Sequence, residues 1–272
     1  MNYYLFRLKF DTAVHFGTPD SALSLYTSEI KFCADTLFSA LCHEAKNGNL
    51  LLSDAMPWKG KQLYLPKPCV SSDHKRDIPA EQRKAVKKLS WIPVDQFADF
   101  SSSIHGGDAF NVAKAKVEFG VHSETTKVSI ASGKDSEPYQ VGLFTFAEDA
   151  GLWLIIGCED DAQCEKMRTL LCCLGLSGIG GKTSAGYGKF RVLSVQKLNE
   201  AGNETEKWLA DALKTEKTGR YLLLSAALPL EEDLETLMPS AEYSLIRRGG
   251  FVQSDSYAKE NRKKETQVFF AA

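Results

Sequence analysis

Gly181-Lys182-Thr183 holds the lysine and hydroxyl with which phosphate-binding loops grip a nucleoside triphosphate. The surrounding stretch, "LGLSGIGGKTSAGYGKF" at residues 174–190, places six of the chain's 20 glycines within fourteen positions. A P-loop also needs a glycine about five residues before the glycine of its GKT, where the backbone wraps the phosphates. That position is Leu176, and Gly175 comes one residue too early. The dinucleotide pattern G-x-G-x-x-G fails at Thr183, and the nucleophile elbow G-x-S-x-G fails at Ile179. No nucleotide cofactor is therefore expected.

His15, in "VHFG", is the histidine best placed for acid–base chemistry. A metal-independent ribonuclease would need it as general base, with an acid partner and a positioned phosphate. One histidine fills one of those roles, so hydrogen bonding within its loop is the expected task and no catalytic residue is assigned. Cys42 and His43 are neighbours on a helix and point to different faces, which suits no single metal site. The seven cysteines contain no C-x-x-C, so neither a zinc knuckle nor a disulfide framework is indicated. Asp35 is expected to cap a helix rather than to act as an acid. Trp91, Trp153 and Trp208 are expected to pack rather than to stack on bases. "RRGGFV" places Arg247 and Arg248 beside Gly249 and Gly250, a combination that permits close backbone approach and bidentate phosphate contact. It partly matches an RNA-recognition pattern but lacks the central aromatic, so any stacking there falls to Phe251.

The elements that position these groups follow from periodicity. Cys164, Met167, Leu170, Leu171 and Leu174 share one helical face, and Phe190, Val192 and Val195 lie in a β-like run. The glycine-rich loop therefore leaves a helix and enters a strand, the reverse of a P-loop, which opens a helix. "MNYYLFRLKF" alternates as a strand with one buried face, and "DTLFSALCHEA" carries a helical stripe ended by Gly48. Residues from about 57 to 115 read as a basic insertion with one short helix near "AEQRKAVKKL". Residues from about 117 to 146 read as an extended hairpin with its turn at Gly133, and "GLWLIIGC" as a buried strand.

The order strand, helix, hairpin, strand, helix, strand predicts an α+β, ferredoxin-like (RRM-like) unit over residues 1–198. Residues 199–220 are expected to form a linker. A second, degenerate ferredoxin-like unit is expected over 221–272, with strands in "YLLLSAALPL", "EYSLI" and "TQVFFAA" and a short acidic helix at about 231–238. The apolar ending suggests a truncated C-terminus.

A net charge of −2 does not by itself favour nucleic acid, but the charges are sorted into blocks. No acid lies between Glu165 and Glu200, an interval that holds Lys166, Arg168, Lys182, Lys189, Arg191 and Lys197. Residues 199–219 and 229–242 are mostly acidic, and these blocks are expected to face protein partners. No apolar run approaches the ~18 residues of a membrane span, and the start lacks a signal-peptide core. A cytoplasmic protein is expected.

The glycine-rich loop resembles that of the RAMP superfamily of CRISPR proteins. Together with "VHFG", "DTLFSALCHEA" and "IRRGGFV", in that order, it is similar to the fourth subunit of type III-A (Csm) effector complexes, over residues 3–270. The resemblance implies a non-catalytic subunit that grips the repeat-derived 5′ handle of the guide RNA (crRNA). It implies contact with the large polymerase-like subunit and the backbone RAMP subunit, and a thumb-like hairpin that meets target RNA indirectly. By matching position the handle contacts fall on Gly178, Ile179, Gly180, Gly181, Lys182, Thr183 and Ser184, and on Arg247, Arg248, Gly249 and Gly250. Lys182 and Arg191 would supply charge, and His15 and Phe251 are counted with them among the expected RNA contacts. Some RAMP relatives instead process guide RNA as endoribonucleases with a histidine, and that alternative would fall to His15. No cofactor or metal is implied.

Overall fold

Strand β1 (Asn2–Phe10) buries Tyr4, Phe6, Leu8 and Phe10 on one face and Leu5 on the other. The expected single buried face is thus corrected. The even positions meet one apolar cluster and Leu5, with Tyr3 beside it, meets a second. The structure, a computed structural model, describes residues 1–17, 24–44, 50–69, 80–105, 107–129, 136–198, 202–214, 221–231, 235–236, 241–249, 251–252, 262–263 and 267–271.

Strand β8 (Ala150–Cys158) is buried at all nine positions and pairs antiparallel with β1. On its other side it pairs with β2 (Leu51–Leu52) and β3 (Met56–Lys59). Strand β9 (Phe190–Lys197) flanks β1 on the far side. With β4 (Gln62–Pro66) and β5 (Trp91–Pro93) the sheet runs β5-β4-β3-β8-β1-β9. Helices α1 (Ala34–Glu44) and α5 (Asp161–Ser177) pack on one face. Leu37 and Leu41 of α1 join Met167, Leu171 and Leu174 of α5 in the cluster that covers Phe6 and Leu8. Each fully buried side chain of this size stabilises the fold by about 1.5–3 kcal/mol.

The stretch expected as a basic insertion contributes three strands to this sheet. It also holds α2 (Ala80–Lys88), α3 (Phe97–Ile104) and α4 (Val112–Ala115). Prolines and lysines interrupt its alternation, yet Trp58, Leu63, Tyr64 and Ile92 are all buried. Trp58 Nε1 donates to the carbonyls of Leu8 (3.2 Å) and Leu152 (3.1 Å). Trp153 Nε1 donates to those of Pro57 (3.1 Å) and Tyr64 (3.2 Å). These two indoles lock the added strands to the centre. Trp208, half-exposed, has its ring centroid 5.9 Å from that of Phe97.

The stretch expected as a linker contains helix α6 (Glu204–Lys214). Its Leu209 and Ala210 join Leu5, Trp153 and Ile155 on the second face of the sheet. Burial lowers the pKa of Arg7 on that face, and the charge of buried Glu206 opposes the shift. A short apolar stripe among many charges conceals such a helix from periodicity.

Strands β6 (Gly120–Ser129) and β7 (Glu137–Phe146) pair in unbroken register from Gly120↔Phe146 to Ser129↔Glu137, which forms the expected hairpin. Gly133, at its expected turn, lies outside the described residues, as does Gly48 at the expected end of α1. Toward the C-terminus, β10 (Leu245–Arg248) pairs with β13 (Gln267–Phe270), and β11 (Phe251–Val252) with β12 (Arg262–Lys263). The strand expected in "YLLLSAALPL" does not form: residues 221–230 follow an irregular course with a single bridge, Ala227↔Phe270. Tyr221, Leu228 and Leu230 are exposed there, while Leu222 and Leu224 pack against the second apolar cluster without entering a ladder.

Candidate nucleic-acid interface

Helix α5 aims the glycine-rich loop. Asp160 caps its start by accepting from the Gln163 N–H at 2.7 Å. The Tyr4 phenol donates to Asp161, which also accepts from Lys197 Nζ at 2.8 Å. Burial, then the Asp161 carboxylate, push the Tyr4 pKa up to about 12, while Lys197 and Tyr4 hold that of exposed Asp161 down. A cavity of about 510 Å³ lies beside this end of α5, lined by Tyr4, Asp161, Arg168 and Lys197 among others, away from the loop. At the other end Gly175 lies so close to β9 that an added Cβ would stand 2.1 Å from the Phe190 carbonyl oxygen. The helix stops at Gly178, whose φ of 94° excludes most side chains.

Beyond Gly178 the loop is sewn onto the segment that follows β1. The Gly181 N–H donates to the His15 carbonyl (2.8 Å), Ile179 to Gly188 (3.0 Å) and Gly188 to Ala13 (2.9 Å). Ile179 is buried in the main core and acts as the loop's root. Gly180 has φ 98°, and a Cβ there would stand 2.7 Å from the His15 carbonyl oxygen. Lys182 has φ 61°, the one positive value for a non-glycine among the described residues. Thr183–Ala185 form a single 3₁₀ turn, with Thr183 half-buried and Ser184 exposed. The expected order of helix, loop and strand is present, and it places Gly178 to Ser184 at one joint.

His15 is the peg of that joint. It is 6% exposed, and its Nδ1–H donates to the Gly142 carbonyl of β7 at 2.7 Å, which assigns the proton to Nδ1. A Cβ at Gly181 would stand 2.6 Å from His15 Cδ2, so loop and ring touch. Ser28 holds the same segment: its Oγ accepts from the Phe16 N–H (3.0 Å) and donates to the Val14 carbonyl (3.3 Å). Nothing in the local pattern around Ser28 marks this role.

The cationic residues are dispersed around the joint. Lys182 Nζ reaches the Tyr139 hydroxyl of β7 at 3.3 Å and lies 4.7 Å from the ring centroid. Arg191, exposed on edge strand β9, pairs with Asp11 at 3.3 Å. Arg247 and Arg248 alternate along β10 and so face opposite ways. Arg247 is exposed, whereas Arg248 forks onto Asp35 (2.6 and 2.7 Å) and Thr36 Oγ1 (3.0 Å). Partial burial, the largest single influence, lowers the Arg248 pKa, but hydrogen bonding to Asp35 and the nearby charges of Cys33, Asp35 and Asp54 together leave it raised. Gly249 is exposed; Gly250 and the Phe251 side chain lie outside the described residues. No hydrogen bond or ion pair among the described residues joins this RGG segment to the glycine loop.

Asp35 caps in part, its Oδ1 accepting from the Thr36 N–H at 2.8 Å in the first turn of α1, and it also clamps Arg248. The N–H of Ala34, first residue of α1, is met by buried Asp54 Oδ1 at 2.8 Å, and Lys31 neutralises Oδ2 at 2.8 Å. Among the described residues no group of His, Cys, Asp or Glu could hold a metal ion, and no helix is long and apolar enough to cross a membrane.

A profile of the CRISPR Csm4 C-terminal domain matches residues 216–272. Over its whole length the chain is 33% identical to the CRISPR system Cms protein Csm4 of Mycobacterium tuberculosis, with 100% of this chain and 87% of the relative covered. The chain belongs to the Csm4 family. The Csm4 protein of Streptococcus thermophilus is 28% identical, covering 99% of this chain and 87% of its own. Among solved structures, the type III-A Csm3–Csm4 subcomplex matches with a TM-score of 0.58 at 15% identity, over 100% of this chain and 91% of that one. A Csm1–Csm4 cassette in complex with cA4 matches at 0.53 and 15%, over 100% and 97%. At such identities these structures speak for the fold.

In this Csm4-family chain the profile's residues include β10, which the Arg248–Asp35 fork fastens to α1. Asp35→Ala or Arg248→Ala is expected to cost about 1–2 kcal/mol, above a simple surface pair because the contact is bidentate and half-buried. A double-mutant cycle read by denaturant melts checks this, as does protease nicking within 241–252. A coupling near zero would show that the fork contributes nothing.

Proposed function

We propose that this Csm4-family chain is a non-catalytic guide-RNA-binding subunit of a cytoplasmic type III-A complex. It grips the repeat-derived 5′ handle and joins the large polymerase-like subunit to the backbone RAMP subunit. The observation that carries the reading is the sewn loop: five positive-φ positions from Gly178 to Gly188 fix an irregular backbone, with half-buried Lys182 among them. Lys182 has no carboxylate partner among the described residues, and a phosphate oxygen would supply one. Single-stranded RNA is held by such positive loops rather than read in a groove. Arg191 supports the grip, since its exposed pair with Asp11 is worth only about 0–1 kcal/mol and exchanges readily for phosphate. Arg247 is the arginine of the RGG segment that faces outward.

The strand order β9-β1-β8-β3 with α1 and α5 on one face supports a ferredoxin-like N-terminal unit. The two-stranded pairs near the C-terminus are read as its degenerate repeat. The Csm3–Csm4 and Csm1–Csm4 assemblies of the structural relatives support the two protein partners. His15 acts as a structural peg in this reading, because its Nδ1 is committed to Gly142 and its ring lies beneath the loop.

Lys182→Ala in a reconstituted complex is expected to weaken handle binding about threefold to tenfold. It should also lower the salt slope by about 0.7, the share of one phosphate contact on a single strand. Filter binding across a salt series measures both. Unchanged affinity and slope would remove Lys182 from the grip. Repeat RNA incubated with the isolated chain is expected to stay intact.

A further inference from the structure

Resting on the RNA-binding reading above, we infer that Lys127, Tyr139 and Tyr187 extend the grip of Lys182 into a base-stacking RNA subsite where the hairpin meets the glycine-rich loop. This subsite takes one phosphate between two lysines and the flanking bases on two tyrosine rings. Lys127 and Tyr139 are direct partners across the β6–β7 ladder, so their side chains share one face. Lys182 and Tyr187 come from the loop. The contacts cross: Lys127 Nζ lies 5.2 Å from the Tyr187 ring centroid, and Lys182 Nζ lies 4.7 Å from that of Tyr139. All four side chains are half-buried.

The cluster lacks an anion. Neither lysine forms an ion pair with a carboxylate among the described residues, and each ammonium rests on a ring face instead. A ring face holds an ammonium less strongly than a charged oxygen with hydrogen bonds does. A phosphate placed between the lysines therefore draws both off the rings. That uncovers a face of Tyr139 and a face of Tyr187, on which nucleobases stack with little regard to sequence. An acidic peptide could satisfy the ammonium groups, but it would leave both ring faces bare. The pairing of two cations with two rings fits single-stranded RNA.

The test uses the full-length chain and two labelled oligomers of equal length, a single-stranded RNA and its abasic counterpart, followed by fluorescence anisotropy. The wild type is expected to prefer the base-bearing oligomer by at least about fivefold, the low end of one stacked base. Tyr139→Ala and Tyr187→Ala should each erode that preference while leaving abasic affinity unchanged. Tyr139→Phe should keep it, because the ring remains. Lys127→Gln should lower the salt slope on both oligomers by about 0.7. Equal wild-type affinity for the two oligomers overturns the inference without any variant, even if an alanine variant fails to fold. Loss of both affinities together in a folded Tyr→Ala variant also overturns it, since that marks a structural role. A wild-type chain that binds neither oligomer would instead overturn the broader reading, and the subsite with it.

Discussion

Gly175→Ala is expected to lower stability by about 1–3 kcal/mol and to loosen the loop that α5 presents. Two effects compete at this position. Alanine gains about 1 kcal/mol over glycine from helix propensity. Against this, its Cβ would stand 2.1 Å from the Phe190 carbonyl oxygen and 3.4 Å from the Phe190 ring. The first obstacle is backbone in the edge strand, not the tip of a side chain that can rotate away. Relief therefore requires α5 to back off the sheet, against the packing of Met167, Leu171 and Leu174. Packing wins, and the melting temperature should fall by roughly 2–4 °C for each kcal/mol lost. Leu176→Ala next door is the control: Leu176 is 78% exposed and should stay within about 0.5 kcal/mol of wild type. A melting temperature for Gly175→Ala at or above the wild-type value would refute the close approach.

His15→Ala is expected to cost more, about 2–4 kcal/mol. It leaves the Gly142 carbonyl without its donor, a loss of about 1–3 kcal/mol, and opens a void beside Gly17 and Gly181. The loop and the hairpin both lean on this ring, so amides of residues 178–189 should lose hydrogen-exchange protection together with those of β7. His15→Asn, which restores an N–H near the position of Nδ1, should recover part of the loss. A general base would behave otherwise: neither variant would move stability much, and a cleavage activity in the wild type would vanish in both. That second pattern would transfer His15 from peg to catalyst.

The joint was legible from sequence because its signals are local. A helical stripe ending at Leu174, a run of glycines and a β-like run from Phe190 require helix, loop and strand in that order. The hairpin was equally local. What escaped depends on partners far along the chain. Asp35 has every feature of a cap, and only the fold brings Arg248 to it while Asp54 meets the helix N-terminus. Strands β3 to β5 are short and interrupted by proline and lysine, and become strands because the edge of β8 recruits them. The apolar run "YLLLSAALPL" fails for the converse reason, since its backbone meets its neighbours only at isolated points, Leu224 with Asp54 and Ala227 with Phe270, and no ladder continues from either. The four-residue cluster of lysines and tyrosines has no spacing signature at all, because its halves are brought together by the hairpin lying against the loop.

The interior position of β1, between β8 and β9, also sets a timetable for synthesis. Its first strand partner is β8, from Ala150, and its second is β9, which ends at Lys197. At about 5–20 residues per second, a ribosome needs roughly 10–40 s to deliver both. For that interval a nine-residue strand with apolar side chains on both faces and two unsatisfied edges waits in the nascent chain. Such a segment is a hazard for pairing with copies of itself on neighbouring ribosomes. The same placement that makes β1 an interior strand of the finished sheet leaves its edges open until β8 and β9 have both been made.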